Sequence, residues 1–397
     1  MRPIRTLVLL LPLLLVACST VRVAPVGSGP RDGTLLPPVR GDRAKTDGFP
    51  APEADGYRPP ARMAVILPMS GSAATASASV RDGFLAAYFG ETRRRPVVSF
   101  HDSQGTGAGA LAAIAKARAE GAQLIVGPLT RDEVAAVSAN VDGSVPIITL
   151  NRAGKTPLGT TAFALMPEEE GEAAAERLLA RRLSSVLVFA NATDNAQRAV
   201  AAFREVFSRG GGSVVEQIAV VGETPDLTAR LSALKAAAAP PQAVLLALDA
   251  GQGRAINAQL RNSALAGVPR VATALILNGA DAKADVELDG IEYPELPWLM
   301  DQPVGLPDAD GLGRNLPSAR GPAQRLFAFG ADAWRLAAWF DHLYREPGAS
   351  IRGATGTLRI DISGPVERAP AWAVFIGGRG RPAPAPAPAP DARPPAR

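Results

Sequence analysis

Residues 62–89 read RMAVILPMSGSAATASASVRDGFLAAYF. The stretch opens on Met63-Ala64-Val65-Ile66-Leu67, a short apolar run with β-branched residues, and Pro68 to Ser72 breaks it. Val80, Phe84, Leu85 and Tyr88 then recur at helical spacing. The order is strand, loop, helix, and it repeats down the chain. Val97 to Phe100 reads as a strand and Leu111 to Glu120 as a helix. Gln123-Leu124-Ile125-Val126 is a strand ended by Gly127-Pro128, and Thr130-Arg131-Asp132-Glu133 has the spacing of a capping box at a helix start. Val145 to Leu150 is the next strand.

A second cycle begins near Phe163. Pro167 opens a helix through Leu179, with Glu168, Glu169 and Glu170 in the first turn, where the helix dipole favours acids; they are expected to be solvated. Strands at Ser185–Ala190, Ser213–Val220, Ala243–Leu248 and Val271–Leu277 alternate with helices at Asp194–Ser208, Leu227–Ala238 and Ala255–Asn262. Two consecutive cycles of this kind predict an α/β chain with two Rossmann-like parallel-sheet lobes. The remainder breaks the cycle. A Pro- and Gly-rich stretch, one helix over Phe327–Tyr344, and two strands, Gly353–Ile362 and Ala371–Ile376, expected to pair across a Gly-Pro turn, suggest a chain that returns across both lobes.

The chain has 397 residues, 47% of them hydrophobic and 20% charged, with one cysteine and two histidines. That length buries a substantial core. A lone cysteine excludes an internal disulfide and a cysteine-based zinc site, and two distant histidines leave no H-E-x-x-H motif. No metal, no cofactor and no catalytic residues are therefore expected. The net charge of +4 sits at the ends, on Arg2 and Arg5 and on Arg379, Arg381, Arg393 and Arg397. The body is near neutral, so no nucleic-acid partner is expected.

The ends differ from the body. Arg2 and Arg5 precede an apolar run from Leu7 to Ala17, too short for a bilayer span and right for a signal peptide. Leu15-Val16-Ala17-Cys18 resembles a bacterial lipobox. The resemblance implies a leader over 1–18 and a lipid anchor on Cys18. Ser19 rather than Asp follows, which by the same resemblance implies sorting to the outer membrane, periplasmic side. Acyl chains contribute about 0.8 kcal/mol per buried methylene, enough for firm anchoring by several chains. Residues 19–60 are rich in Gly, Pro, Arg and Asp and are expected to be a disordered tether, with an r.m.s. span of about 35 Å. Residues 377–397, with alternating Pro and Ala over Pro382–Pro390, are expected to be a second disordered tail. The folded body is expected over 61–376, lobe 1 at about 61–164 and 292–345, lobe 2 at about 165–291 and 346–376.

Arg62–Phe89 resembles the opening strand, Pro-x-Ser-Gly loop and first helix of type I periplasmic binding proteins of the leucine-binding-protein-like kind. Gln123–Val134 resembles their strand, Gly-Pro and helix-start step, and Gly353–Ile362 their late G-x-x-G strand. With the lipobox and Gly83-Phe84-Leu85-Ala86-Ala87-Tyr88-Phe89, the chain is most similar to the penicillin-binding protein activator lipoproteins. The resemblance implies the type I periplasmic binding protein fold and no enzyme activity. It also implies a peptidoglycan synthase partner, a bifunctional penicillin-binding protein. The best-known activators carry a helical-repeat domain ahead of this fold, where here a short tether is expected. The alternative is a solute-binding lipoprotein of an ABC-type transporter for amino acids or related small molecules.

In open α/β sheets ligands sit beyond the carboxyl ends of strands, at helix starts. This selects Ser70, Gly71, Ser72, Thr130, Arg131, Asn151 and Arg152 from lobe 1, and Asn191, Asp194 and Asp249 from lobe 2. In amino-acid binders of this fold helix-terminal amides and hydroxyls hold the ligand carboxylate and a lobe-2 acid meets its ammonium. Thr130 with Arg131, and Asp249, are the candidates for those parts. Their plainer readings are a helix cap worth about 1 kcal/mol and a surface loop acid. Gly105 to Ala110 (GTGAGA) mimics a dinucleotide loop but lacks the later acid, and reads as a flexible connection. His101 with Asp102 reads as a hydrogen-bonded surface pair, and His342 as an interfacial helix residue.

Overall fold

Strand β1 (Arg62–Leu67) buries both of its faces, and this sets the layers of the first lobe. Met63, Val65 and Leu67 point into one apolar cluster, Ala64 and Ile66 into another on the opposite side. The computed structural model describes residues 46–278, 281–361 and 364–385. The leader, Cys18, most of the expected tether and the end of the Pro-Ala tail lie outside the described residues.

Around β1 the chain adds α1 (Ala74–Gly90), β2 (Val97–Asp102), α2 (Gly107–Ala119), β3 (Leu124–Val126), α3 (Arg131–Ser138), β4 (Ile147–Thr149) and β5 (Thr160–Ala162). The strands form a parallel sheet in the order β2-β1-β3-β4-β5. The chain then crosses into the second lobe. There follow α4 (Pro167–Ala180), β6 (Ser185–Asn191), α5 (Asp194–Arg209), β7 (Ser213–Val220) and α6 (Thr228–Ala236). They are continued by β8 (Ala243–Ala247), α7 (Ala250–Arg261), β9 (Arg270–Ala272) and β10 (Ile291–Glu295). After β10 the chain re-enters lobe 1 for α8 (Ala309–Asn315), α9 (Ala323–Ala338), α10 (Phe340–Arg345) and a small antiparallel sheet of β11 (Ile351–Arg352), β12 (Thr357–Ile360) and β13 (Val366–Ala369). It crosses once more at Pro370. β14 (Ala371–Ile376) and β15 (Arg379–Pro382) complete the second sheet, in the order β15-β14-β10-β9-β8-β6-β7. The expected two parallel-sheet α/β lobes are present, with an antiparallel edge on the second.

Several expected boundaries move, each for a packing reason. β12 does not pair with β14. Leu358 and Ile360 bury in the lobe-1 core while Ala373 and Phe375 bury in lobe 2, so the two strands part into different sheets. Residues 351–369 therefore belong with lobe 1, and 291–295 with the lobe-2 sheet. The supposed flexible connection at 105–110 is largely helix: Thr106 caps α2 through Gly109 N, and a Cβ on Gly109 would lie 2.1 Å from Ser103 O. The strand expected to run to Leu277 stops at Ala272 and passes into a 3-10 turn. The single long helix breaks at Trp339.

Both expected disordered ends are partly ordered. Phe49 and Tyr57 are buried, Arg58 ion-pairs Asp341 at 2.8 Å, and Thr46 Oγ1 donates to the same carboxylate. Tyr57 meets Trp339 edge-on at 4.9 Å, and the Arg93 guanidinium lies 3.8 Å from the Tyr57 ring centre. At the other end Gly377 and Gly378, both at positive φ, turn β14 back into β15.

The G-x-x-G stretch has a structural cause. Asp332 of α9 is fully buried and accepts from Ala354 N (2.6 Å), Thr355 N (2.7 Å) and Thr355 Oγ1 (2.6 Å), while Arg335 donates to it at 3.0 Å. A Cβ on Gly353 would lie 2.5 Å from that carboxylate.

Helices α1 and α9 touch backbone to backbone. A Cβ on Gly83 would sit 1.9 Å from Phe327 O, and one on Gly330 1.9 Å from Val80 O. Gly83→Ala is expected to destabilise the body by about 2–3 kcal/mol, since neither backbone can yield locally. Gly267→Ala, whose Cβ meets nothing within 4 Å, should stay within about 0.5 kcal/mol of the parent. Urea unfolding of the two variants checks this, and equal midpoints would refute the packing argument.

Candidate functional site

Helix α4 begins directly after the first crossover, and its three exposed or packed stripes organise the site. Gly171, Ala174, Ala175 and Leu178 form the apolar stripe that packs in lobe 2, where a Cβ on Gly171 would lie 2.0 Å from Ala199 O. Glu169, Ala173 and Arg177 form a second stripe that faces β13 and β14. Glu168, Glu172 and Glu176 run along the rim beside it. Between α4 and the strands of the small sheet lies a groove of about 960 Å³, lined on the far side by Thr357, Arg359, Glu367, Arg368 and Trp372.

The floor of the groove is an ionic clamp. Glu169 is buried and accepts from Arg368 Nε at 3.0 Å and from Arg152 Nη2 at 3.4 Å. Arg152 follows β4 of lobe 1 and also donates to Val366 O at 2.7 Å; Arg368 donates to Thr355 O at 3.0 Å. One lobe-2 carboxylate is thereby tied to two arginines from lobe 1. Burial pushes the Glu169 carboxyl up to about 7, and the two guanidiniums oppose that shift without cancelling it. Burial also raises Glu170, whose Oε2 accepts from Ala274 N at 2.8 Å. Glu168 is held by Arg198 at 2.7 and 2.9 Å. The acidic first turn expected to be solvated is thus paired or enclosed, Glu168 by α5, Glu170 by the turn after β9, and Glu169 by Arg152 and by Arg368 of β13.

At the end of the groove Arg177 bonds Glu292, and its guanidinium lies 4.5 Å from the Trp372 ring centre. Its Nη2 donates to Pro384 O at 2.9 Å.

Of the ten residues selected by sequence, Arg152 alone lines this groove. Ser70, Gly71 and Ser72 are exposed on the β1–α1 loop, where Ser70 hydrogen-bonds Asp102. Thr130 is a cap: its hydroxyl and its N–H both reach Glu133, at 2.8 and 2.9 Å, and Glu133 N returns the bond. Arg131 starts α3 and is exposed. Asn151 donates to Leu129 O at 3.1 Å, which brings it beside Thr130. In lobe 2, Asn191 donates to Gln252 Oε1 at 3.0 Å while Asp249 accepts from Gln252 N at 2.9 Å, so these two meet through one glutamine. Asp194 pairs with Arg198. The polar groups at these strand ends largely satisfy one another. His101 hydrogen-bonds Ser99 and lies 3.4 Å from Glu120, whereas Asp102 accepts from Met69 N and Gln104 N, so His101 and Asp102 do not form the expected pair. Among the described residues no group of three or more His, Cys, Asp or Glu is arranged to hold a metal, and no helix is long and apolar enough to cross a membrane.

A family model described as "LppC putative lipoprotein" matches residues 56–378. The chain belongs to this family. It is 26% identical over 349 residues to a protein of Photobacterium profundum named penicillin-binding protein activator LpoA, a match that covers 79% of this chain and 55% of that one. The chain spans about half the length of the curated relatives it matches. Its fold superposes on the C-domain of LpoA from Haemophilus influenzae, described as a regulator of PBP1A, with a TM-score of 0.68 at 22% identity, covering 81% of this chain and 99% of that one. A structure from Chromobacterium violaceum described as a "putative branched-chain amino acid ABC transporter" gives a TM-score of 0.65 at 26% identity, with 79% and 99% covered. The type I periplasmic binding protein fold that the resemblance implied is therefore the fold of this LppC-family chain. The relatives are named as activators rather than as enzymes.

Sequence reasoning missed Glu169, Arg177, Arg368 and Trp372. Glu169 and Arg177 lie off the apolar stripe of α4, and the strands that cover them, β10, β13 and β14, come much later in the chain.

A carboxyl whose pKa rises on folding binds its proton more tightly in the native state, so its contribution favours the native state at low pH and is lost as pH rises from about 4.5 to about 7. Relative to Glu169→Gln, the parent should therefore gain stability by up to about 3 kcal/mol as pH falls across that window. Paired urea titrations at successive pH values read the difference, and a flat difference would overturn the assignment.

Proposed function

We propose that the chain is an outer-membrane-anchored periplasmic lipoprotein whose two-lobed body binds and regulates a peptidoglycan synthase of the penicillin-binding protein class. The observation that carries the reading is the family match across residues 56–378, with relatives named for that activity. The site agrees with it in kind. The strand-end polar groups that a solute would engage are occupied by their own neighbours, and the body offers instead a broad, charged, open groove beside the crossovers. Surfaces of that character suit a macromolecular partner better than a small apolar ligand. The anchor on Cys18 would hold the body near the synthase and raise its local concentration.

The solute-binding reading keeps support from the Chromobacterium violaceum structure. A thermal-shift series against amino acids and cell-wall fragments separates the two, since a ligand at 100 times its dissociation constant stabilises by about 2.7 kcal/mol. The synthase reading expects no shift in that series. It expects capture of the synthase by the purified body, with a changed rate of glycan polymerisation. No capture and no rate change would remove it. For the anchor, Cys18→Ser should abolish palmitate labelling and move the protein from the membrane to the soluble fraction; labelling that persists would refute lipidation at that residue.

A further inference from the structure

The groove beside α4 has an unbalanced wall. Every arginine that lines it is already ion-paired within the body. Glu168 and Glu169 are paired as well. Glu172 and Glu176 have no hydrogen bond or ion pair among the described residues, though they stand one helical turn apart on the same face and both line the groove. Like charges at that spacing repel. Both are exposed to solvent at the groove wall; partial shielding by the groove, and then the neighbouring Glu176 charge, raise the Glu172 carboxyl against the opposing pull of Arg152. An occupant carrying positive charge relieves both costs.

The chain delivers such an occupant to the same place. Ala383 N donates to Trp372 O at 2.8 Å, and Pro384 O accepts from Arg177, the residue after Glu176. Residues 386–397 follow, PAPAPDARPPAR, with Arg393 and Arg397 against a single Asp391. An extended Pro-Ala run advances about 3.1 Å per residue, which gives Arg393 a reach of about 25 Å from Ala385. Glu172 is only about 6 Å along the helix from Glu176. Reach is ample, the charges are complementary, and the segment leaves the described structure at the rim of the groove.

We propose that the segment 386–397 docks into this groove, with Arg393 and Arg397 seated against Glu172 and Glu176. The groove is then a binding site for an arginine-bearing, proline-rich strand, and the first such strand it meets is this chain's own. The proposal stands on the groove and the exit of the chain, and does not depend on the synthase reading.

The test uses the full chain carrying Cys18→Ser and Ala392→Cys, labelled with bimane at the one remaining thiol. Trp372 quenches bimane on contact. Docking predicts a quenched label whose lifetime is independent of protein concentration. It also predicts that quenching drops by about twofold or more in about 0.5 M salt, where exposed ion pairs are screened. Glu172→Gln with Glu176→Gln should lengthen the lifetime similarly at low salt, and Trp372→Phe should confirm the quencher. An unquenched label in the parent, or quenching unchanged by both salt and the glutamine pair, would overturn the proposal. Quenching that grows with protein concentration would also overturn it, since the groove would then be taking a second copy.

Discussion

The structure turns on one buried carboxylate between two guanidiniums. Glu169 stands in the first turn of lobe 2, Arg152 on a lobe-1 loop, and Arg368 on the strand that carries the chain back toward lobe 2. None of the three is long-lived as a buried charge alone, because desolvation of an unpaired ion costs several kcal/mol. Glu169 accepts from both guanidiniums, and each guanidinium also donates to a backbone carbonyl, so the crossovers meet at a defined register. Ordinary apolar packing would hold the lobes with less directional preference.

A second constraint acts within each lobe. Helices α1 and α9 approach until a single added methyl group would collide with the opposing backbone, and α4 and α5 do the same at Gly171. Glycine and alanine along these helices are therefore a packing requirement. The same small residues give α1 and α2 weak amphipathic patterns, which is why helix boundaries there were hard to place. Gly107 and Gly109 in particular read as a loop because glycine disfavours helix in isolation, yet Thr106 caps the helix and Ser103 leaves room for nothing larger.

Function in this architecture follows from what the polar groups have left to offer. Thr130 and Asp249 lie at strand ends and cap helices, while Asn191 is held by Gln252 and Thr193. The residues with spare capacity are on α4, at the junction of the lobes.

Local composition and period were enough to determine the two α/β cycles, the capping box at Thr130, and the likeness to the binding-protein fold, because each depends on residues within a turn or a strand of one another. The tertiary structure decided what distant segments do to those elements. It separated β12 from β14, since their apolar faces belong to different cores. It ordered Phe49 and Tyr57 against α10, nearly three hundred residues away, where composition alone predicted a tether. It also buried Glu169 and Arg177, whose charges in isolation favour water and whose partners, Arg152, Glu292 and Arg368, lie on distant segments.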